Sequence, residues 1–313
     1  VALATHMLPV ADGSDFMGSL RNPAGWNNII GLRPSQGRVP MQPSTEVWIN
    51  QLATEGPMGR TVEDVARLLA IQSGYDAKSP LSLQQTFDLE AALKPMTDAE
   101  TNHIRIGWLG DLNGYLPCEA GVLDLCSNAL QAMQHKGYKV DSLTSQTQLG
   151  FEPIRVWDAW LVWRAMLVAS RLSGLLTLPN ARAQMKPEAL WEIDSAKNVT
   201  GVQFNQAAAV RSSFYAAMLK LFEPYDVLAL PSAQVFPFDV TMRYPTEIIT
   251  ARGAVQMDTY HRWMESSIYA TFAGLPAISV PAGFGTNGLP MGLQLIGKPQ
   301  GDADLLRLVA LFD

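Results

Sequence analysis

The chain has 313 residues, 48% hydrophobic and 17% charged, with a formal net charge of −6. That balance suits a globular chain with a large core, and without a Lys/Arg run it argues against a nucleic-acid partner. The apolar run at 159–169 holds Arg164 and is too short to cross a bilayer, so no membrane partner is expected.

Val1–Thr5 reads as the tail of a helix and lacks the basic start of a secretory leader. Leu8–Ala11 reads as a short strand, followed by a loop rich in glycine and serine. Ile29–Leu32 is a short buried strand, and Pro34, Gly37 and Pro40 punctuate the next loop. Thr61–Ser73 is a helix: Thr61 caps it, Asp64 takes the capping-box position, and Val62, Val65, Ala66 and Leu69 form its apolar face. Ser79–Thr101 is a polar linker with at most a short helix.

Ile104–Leu109 is a strand, Glu119–His135 a helix with Val122, Leu125, Cys126, Ala129 and Met133 inward, and Tyr138–Val140 a strand. This β-α-β unit predicts a parallel pair. Cys118 and Cys126 suit neither a disulfide framework nor a zinc site and read as reduced thiols on one helix of a cytoplasmic protein. No metal site is expected. Helices follow at 153–171, 186–194 and 200–223, then strand Val227–Pro231 and helix Thr259–Phe272. Ala277–Val280 and Met291–Ile296 flank a turn and read as an antiparallel hairpin. The expected fold is α/β, a mixed sheet covered by helices on both faces in a single domain spanning 1–313. Both ends read as interrupted: Val1 starts without a cap, and Asp302–Asp313 is a helix that stops while still apolar.

The loop carries the chemistry. Gly18 precedes Ser19, so the backbone can turn tightly and a ligand can approach closely. Successive N–H groups in such a turn can form an anion nest. A nest beside a serine hydroxyl is what acyl transfer needs: a nucleophile, and donors for the tetrahedral oxyanion. Asp15 and Arg21 are placed to pair across the loop, and Ser14 to join their network. A polar glycine turn between strand and helix also occurs as plain connecting structure.

The stretch Gly13-Ser-Asp-Phe-Met-Gly-Ser-Leu-Arg-Asn-Pro-Ala24 resembles the heart of the amidase signature family, which usually reads G-[ST]-D-x-G-G-S-[IL]-R-x-P-[AS]. Further blocks resemble that family in its own order: Ile30-Gly-Leu-Arg-Pro-Ser-Gln-Gly-Arg-Val-Pro40, Gly56-Pro-Met-Gly-Arg-Thr-Val-Glu-Asp-Val65, Gly274-Leu-Pro-Ala-Ile-Ser-Val-Pro281 and Gly288-Leu-Pro-Met-Gly-Leu-Gln-Leu-Ile-Gly297. The resemblance implies that Ser19 is the acyl-enzyme nucleophile. It implies an oxyanion hole from the backbone N–H groups of Phe16, Met17, Gly18 and Ser19, with Ser14, Asp15 and Arg21 in support. The family uses no histidine base; a serine with a cis peptide relays the proton to a buried lysine, whose burial keeps it neutral. Both lie upstream of the nucleophile, and no residue here matches either, so the N-terminal part of the domain is expected to be missing.

Met17 replaces the family's first glycine. It keeps an N–H, but a positive φ there would be costly, and its side chain is expected to shape the acyl pocket. The implied function is hydrolysis of a small-molecule carboxamide without a cofactor. The alternative is a non-hydrolytic or inactive member, such as an amidotransferase subunit working with a partner. A homodimer is expected by resemblance. Among weaker candidates, Trp157, Trp160 and Trp163 have helical spacing and read as core or as a wall of the substrate pocket. Tyr269, Thr271 and Phe272 are further pocket candidates. A Ser19–His261–Asp258 triad competes with His261 as a surface or hydrogen-bonded helix residue. His6, His103 and His135 read as solvated.

Overall fold

In the computed structural model, which describes residues 1–41 and 46–312, one mixed sheet organises the chain. Its strands are β1 (Val10–Asp15), β2 (Ile30–Arg33), β3 (Thr54–Gly59), β4 (Arg105–Trp108), β5 (Lys139–Ser142) and β6 (Val227–Pro231), with β9 (Ala277–Phe284) and β10 (Pro290–Gly297). A separate hairpin pairs β7 (Glu247–Thr250) with β8 (Gly253–Gln256). The sheet order is β1-β3-β2-β9-β10-β6-β4-β5. Only β6-β4 and β4-β5 pair in parallel, and β5 is the partner that the β-α-β reading predicts. The hairpin β9-β10 is antiparallel, with a bulge between Met291 and Gly292.

The principal helices are α1 (Arg21–Trp26), α2 (Val62–Gln72), α3 (Val122–His135), α4 (Pro153–Leu172), α5 (Pro187–Ala196), α6 (Gly201–Leu221), α7 (Ile268–Ala273) and α8 (Asp302–Val309). Two glycines of β10 show that helices cover both faces of the sheet. A Cβ on Gly292 would lie 2.7 Å from the Cα of Gly25 in α1, while one on Gly297 would meet Leu305 of α8 at 3.3 Å. An odd separation along a strand puts those two positions on opposite faces. The central strands are accordingly buried on both faces and mostly apolar, with Ile278, Val280, Leu293 and Leu295 fully buried and Arg33, Ser279 and Gln294 the buried polar exceptions.

Thr61 caps α2 by accepting the Asp64 N–H at 3.1 Å. In α3 the inward residues are Val122, Cys126, Ala129, Leu130 and Met133, and Leu125 is only half-buried. Cys118 precedes the helix rather than sharing it; both thiols are free and buried, and burial pushes both pKa values up. Val1–Thr5 forms a single turn closed by Thr5 N–H to Val1 O at 2.9 Å. The linker holds two short helices, Leu89–Leu93 and Asp98–Thr101. Asp313, the last residue of the final predicted helix, lies outside the described residues.

The long apolar segment is longer than its sequence reading. Pro153–Thr177 is helical over 25 residues, α-helical to Leu172 and 3-10 beyond, and by length and composition it is long and apolar enough to cross a membrane. One side packs on α5 and α6, with Trp157, Trp160 and Trp163 in the core, while the rest of the segment, including all of Ser173–Thr177, is not buried.

The predicted helix Thr259–Phe272 is split into a 3-10 segment, Arg262–Ser267, followed by α7. Side chains take the backbone groups that an α-helix would use. Gln234 accepts the Ser266 N–H, Gln294 donates to Ser266 O, and Arg21 donates to Ser267 O.

Candidate active site

The glycine-rich stretch is strand, turn and helix rather than loop throughout. β1 starts two residues later than the expected strand Leu8–Ala11 and runs four residues further, ending at Asp15, and α1 begins at Arg21. Alternation along β1 turns neighbouring side chains to opposite sides. Asp15 is fully buried, whereas Ser14 is exposed opposite Glu55 on β3. Ser14 therefore does not join the Asp15 network, which corrects its expected supporting contact.

Asp15 anchors the turn. Its carboxylate accepts the Gly18 N–H at 2.8 Å and the Leu20 N–H at 3.3 Å, and Arg21 donates to it twice, from Nε and Nη2, at 2.9 Å each. Arg33 of β2 adds a second guanidinium at 3.3 Å. Burial alone would raise this carboxyl, but Arg21, Arg33 and the Gly18 N–H outweigh it and hold the group well below the usual carboxylate range. Burial in turn lowers Arg33 to about 10. Arg21 is fixed further by Ser267 O and Thr271 Oγ1, each at 2.8 Å, and by Gln294 Oε1.

The turn itself needs glycine at one position. Gly18 has φ +94°, and a Cβ there would lie 2.6 Å from Asn22 Oδ1 and 2.9 Å from Ser267 Oγ. Met17 is not among the residues with positive φ, so the expected strain falls on Gly18 instead. Gly18→Ala is expected to destabilise the protein by about 1–3 kcal/mol through backbone strain and to cut turnover sharply with Ser19 still present. Thermal melts paired with steady-state assays check this.

Ser19 follows at the exposed apex. The N–H groups of Phe16, Met17 and Ser19 donate to no group among the described residues, while Gly18 N–H is committed to Asp15. The expected hole of four donors is therefore corrected to three free N–H groups. Gly18 contributes conformation instead. An exposed hydroxyl beside free backbone donors on a rigid turn can form a covalent acyl adduct and stabilise its oxyanion.

Arg164 of α4 braces this turn from behind. Its guanidinium lies 5.3 Å from the Phe16 ring centre, and its Nη1 is 3.6 Å from Met17 Sδ. It also donates to Glu192 at 2.5 Å and to Tyr260 at 2.7 Å. Met17 is only 3% exposed, held inside rather than at an open pocket.

The aromatic pocket candidates are core. Trp157, Trp160 and Tyr269 are at most 1% exposed, as are Thr271 and Phe272. Trp160 packs 5.8 Å from Phe16, so it supports the turn without lining open space. A cavity of about 630 Å³ opens instead between α4 and α6, lined by Phe151, Arg155, Gln206 and Phe214, and contains no residue of the turn.

His261 contradicts its expected surface or hydrogen-bonded setting. It is wholly buried, and neither ring nitrogen has a partner among the described residues. Burial, with Arg164 and Arg262 nearby, depresses its pKa well below 6.5. It hydrogen-bonds neither Ser19 nor Asp258, whose carboxylate pairs with Arg262 at 3.2 Å, so no triad forms.

Glu265 is buried beside Arg262, at 2.9 Å, and accepts from the Tyr269 hydroxyl at 3.0 Å. Burial prevails over both and pushes its pKa up to about 7. A raised carboxyl contributes stability that is full below the unfolded value near 4.5 and is lost as pH rises through about 7. Glu265→Gln removes that loss, so its melting temperature is expected to gain on the parent's between about pH 5 and 8. Parallel melting curves at every pH would contradict this.

Sequence reading missed Arg33, Gln294 and the Arg164–Glu192–Tyr260 cluster. Arg33 and Gln294 did carry a signal, each a polar residue in an otherwise buried apolar run.

A serine raised on a donor-lined turn at a strand–helix junction defines a candidate acyl-transfer enzyme. The chain belongs to the amidase family, whose profile, described as Amidase, matches residues 1–306. It is 29% identical to an acylamidase of Rhodococcus erythropolis over 313 residues, covering 100% of this chain and 62% of that protein. It is 27% identical to a glutamyl-tRNA(Gln) amidotransferase subunit of Symbiobacterium thermophilum, covering 98% of this chain and 63% of that protein. The crystal structure of a bacterial aryl acylamidase of the amidase signature family superposes with TM-score 0.86 at 26% identity, over 99% of this chain and 63% of that one. The chain thus spans less than two thirds of the length of these relatives.

Proposed function

We propose that the protein hydrolyses the C–N bond of a small carboxamide through an acyl intermediate on Ser19. The observation that carries this reading is the turn: exposed Ser19, free N–H groups on Phe16, Met17 and Ser19, and an Asp15–Arg21–Arg33 anchor beneath. Ser19 Oγ loses its proton to a base and bonds the carbonyl carbon; the oxygen becomes the oxyanion facing the free N–H groups. Collapse breaks the C–N bond as the nitrogen takes a proton and leaves as ammonia or an amine. Water then attacks the acyl-serine, releasing a carboxylic acid and restoring the hydroxyl. Esters can enter by the same acylation. The relay serine and lysine that the resemblance assigns to proton transfer match no residue here, and no ionisable side chain among the described residues hydrogen-bonds Ser19.

Membership of the amidase family and similarity to acylamidases support this reading, and a cytoplasmic homodimer accompanies it. Similarity to amidotransferase subunits supports the second reading. The test is amine or ammonia release by the full-length protein alone, with simple amides and with glutamine. Turnover of simple amides without a partner supports the hydrolase. Ammonia release confined to glutamine and dependent on a partner chain supports the amidotransferase reading.

A further inference from the structure

The Asp15 anchor holds only the second half of the turn. Its carboxylate takes the N–H groups of Gly18 and Leu20 and pairs with Arg21, but it bonds neither Phe16 nor Met17. Those two residues carry two of the three free N–H groups, and neither the N–H nor the carbonyl of either is hydrogen-bonded among the described residues. A donor kept free for an oxyanion cannot be fixed by a hydrogen bond of its own. Its position has to come from its side chain and neighbours.

Arg164 touches both side chains. Its guanidinium lies 5.3 Å from the Phe16 ring centre, and Nη1 is 3.6 Å from Met17 Sδ. Trp160 meets the Phe16 ring at 5.8 Å. All three guanidinium nitrogens are engaged, because Nε donates to Glu192 at 2.5 Å and Nη2 to Tyr260 Oη at 2.7 Å. Tyr260 Oη in turn donates to the same Glu192 oxygen at 2.6 Å. The planar fork is thus fixed from α5 by Glu192 and from a third segment by Tyr260. Arg164 is 11% exposed and Glu192 2%, so water screens their attraction little.

We propose that Arg164 is a positioning residue for the oxyanion turn: held by Glu192 and Tyr260, it sets the Phe16 and Met17 N–H groups through their side chains. The proposal rests on the acyl-Ser19 reading. It adds a cluster outside the glycine-rich stretch that governs the rate of the acylation step. Arg164→Lys separates this role from plain charge pairing. Lysine keeps a cation beside buried Glu192, but one ammonium cannot copy a fork that reaches four side chains.

The experiment times the reaction of the full-length protein with a fluorophosphonate. Ser19 Oγ bonds phosphorus, fluoride leaves, and the phosphoryl oxygen takes the oxyanion's place. The maximal rate, the half-saturating concentration and the final number of adducts per chain are measured separately. Arg164→Lys is expected to lower the maximal rate by about tenfold or more, with the half-saturating concentration unchanged and labelling still reaching the parent's stoichiometry. A merely structural loss lowers the stoichiometry or weakens binding instead; that result, or an unchanged rate, overturns the proposal.

Phe16→Leu keeps the N–H and the Arg164–Glu192 pair but removes the ring beside Arg164. It is expected to slow labelling too, and the double variant to slow by less than the product of the two single effects. Effects that multiply in full overturn action through the ring. Phe16→Leu at the parent's rate does so by itself, even where Arg164→Lys fails to fold. A parent that takes no label, or a label that persists in Ser19→Ala, would instead sink the underlying acyl-Ser19 reading, so the two failures are distinguishable.

Discussion

Ser19→Ala is expected to abolish amide turnover, by roughly 10⁴-fold or more, while leaving the melting temperature of the protein unchanged. The two halves of that result come from different physics. The hydroxyl is the only nucleophile on the turn, so no acyl intermediate forms without it. Yet Ser19 is exposed and makes no hydrogen bond among the described residues, so its loss costs the fold within about 0.5 kcal/mol. A variant that is inactive and unstable would point to a structural serine. Turnover near the parent's would remove Ser19 from the chemistry.

The second large effect is opposite in character. Asp15→Ala is expected to destabilise the protein by about 3–5 kcal/mol, because it leaves two buried guanidiniums without a counter-ion. Arg21, Arg33 and Asp15 are all fully buried, so the cluster carries one surplus positive charge. Arg33→Met removes that surplus and keeps the bidentate Asp15–Arg21 pair, so it is expected to cost far less than Asp15→Ala. Chemical denaturation of the two variants checks the order, and a larger loss for Arg33→Met would refute it. The pH sign follows from the depressed Asp15 carboxyl. Its contribution is fully present above the unfolded value of about 3.9 and is lost only in strong acid, as pH falls through the folded value. The difference between parent and Asp15→Ala should therefore be flat across neutral pH. Asp15→Ala also frees the Gly18 N–H, so the turn loses its shape and activity falls with stability.

Much of the site was legible because its chemistry is local. Gly18, Ser19, Asp15 and Arg21 lie within seven residues, and their contacts follow from a strand ending in a tight turn. What the sequence hid is the long-range part. Gln294, Thr271 and Ser267 reach Arg21 across more than 240 residues, and no short-range pattern announces such partners. The same contacts split the helix predicted over Thr259–Phe272, where tertiary hydrogen bonds override local propensity. β3 was missed for a different reason: it holds Gly56 and Pro57, residue types depleted in strands, yet Pro57 sits in an antiparallel pair opposite Asp12. Tryptophans at helical spacing look alike whether they face a core or a pocket, and only the packing of α4 on α5 and α6 assigns Trp157 and Trp160 to the core.

The most direct test of the nucleophile is to expose the full-length protein to a fluorophosphonate and map the adduct by peptide mass spectrometry. A single adduct on the peptide holding Ser19, absent from Ser19→Ala, is the predicted result. An adduct on another serine, or none in a preparation that hydrolyses amides, would contradict the acyl-Ser19 mechanism.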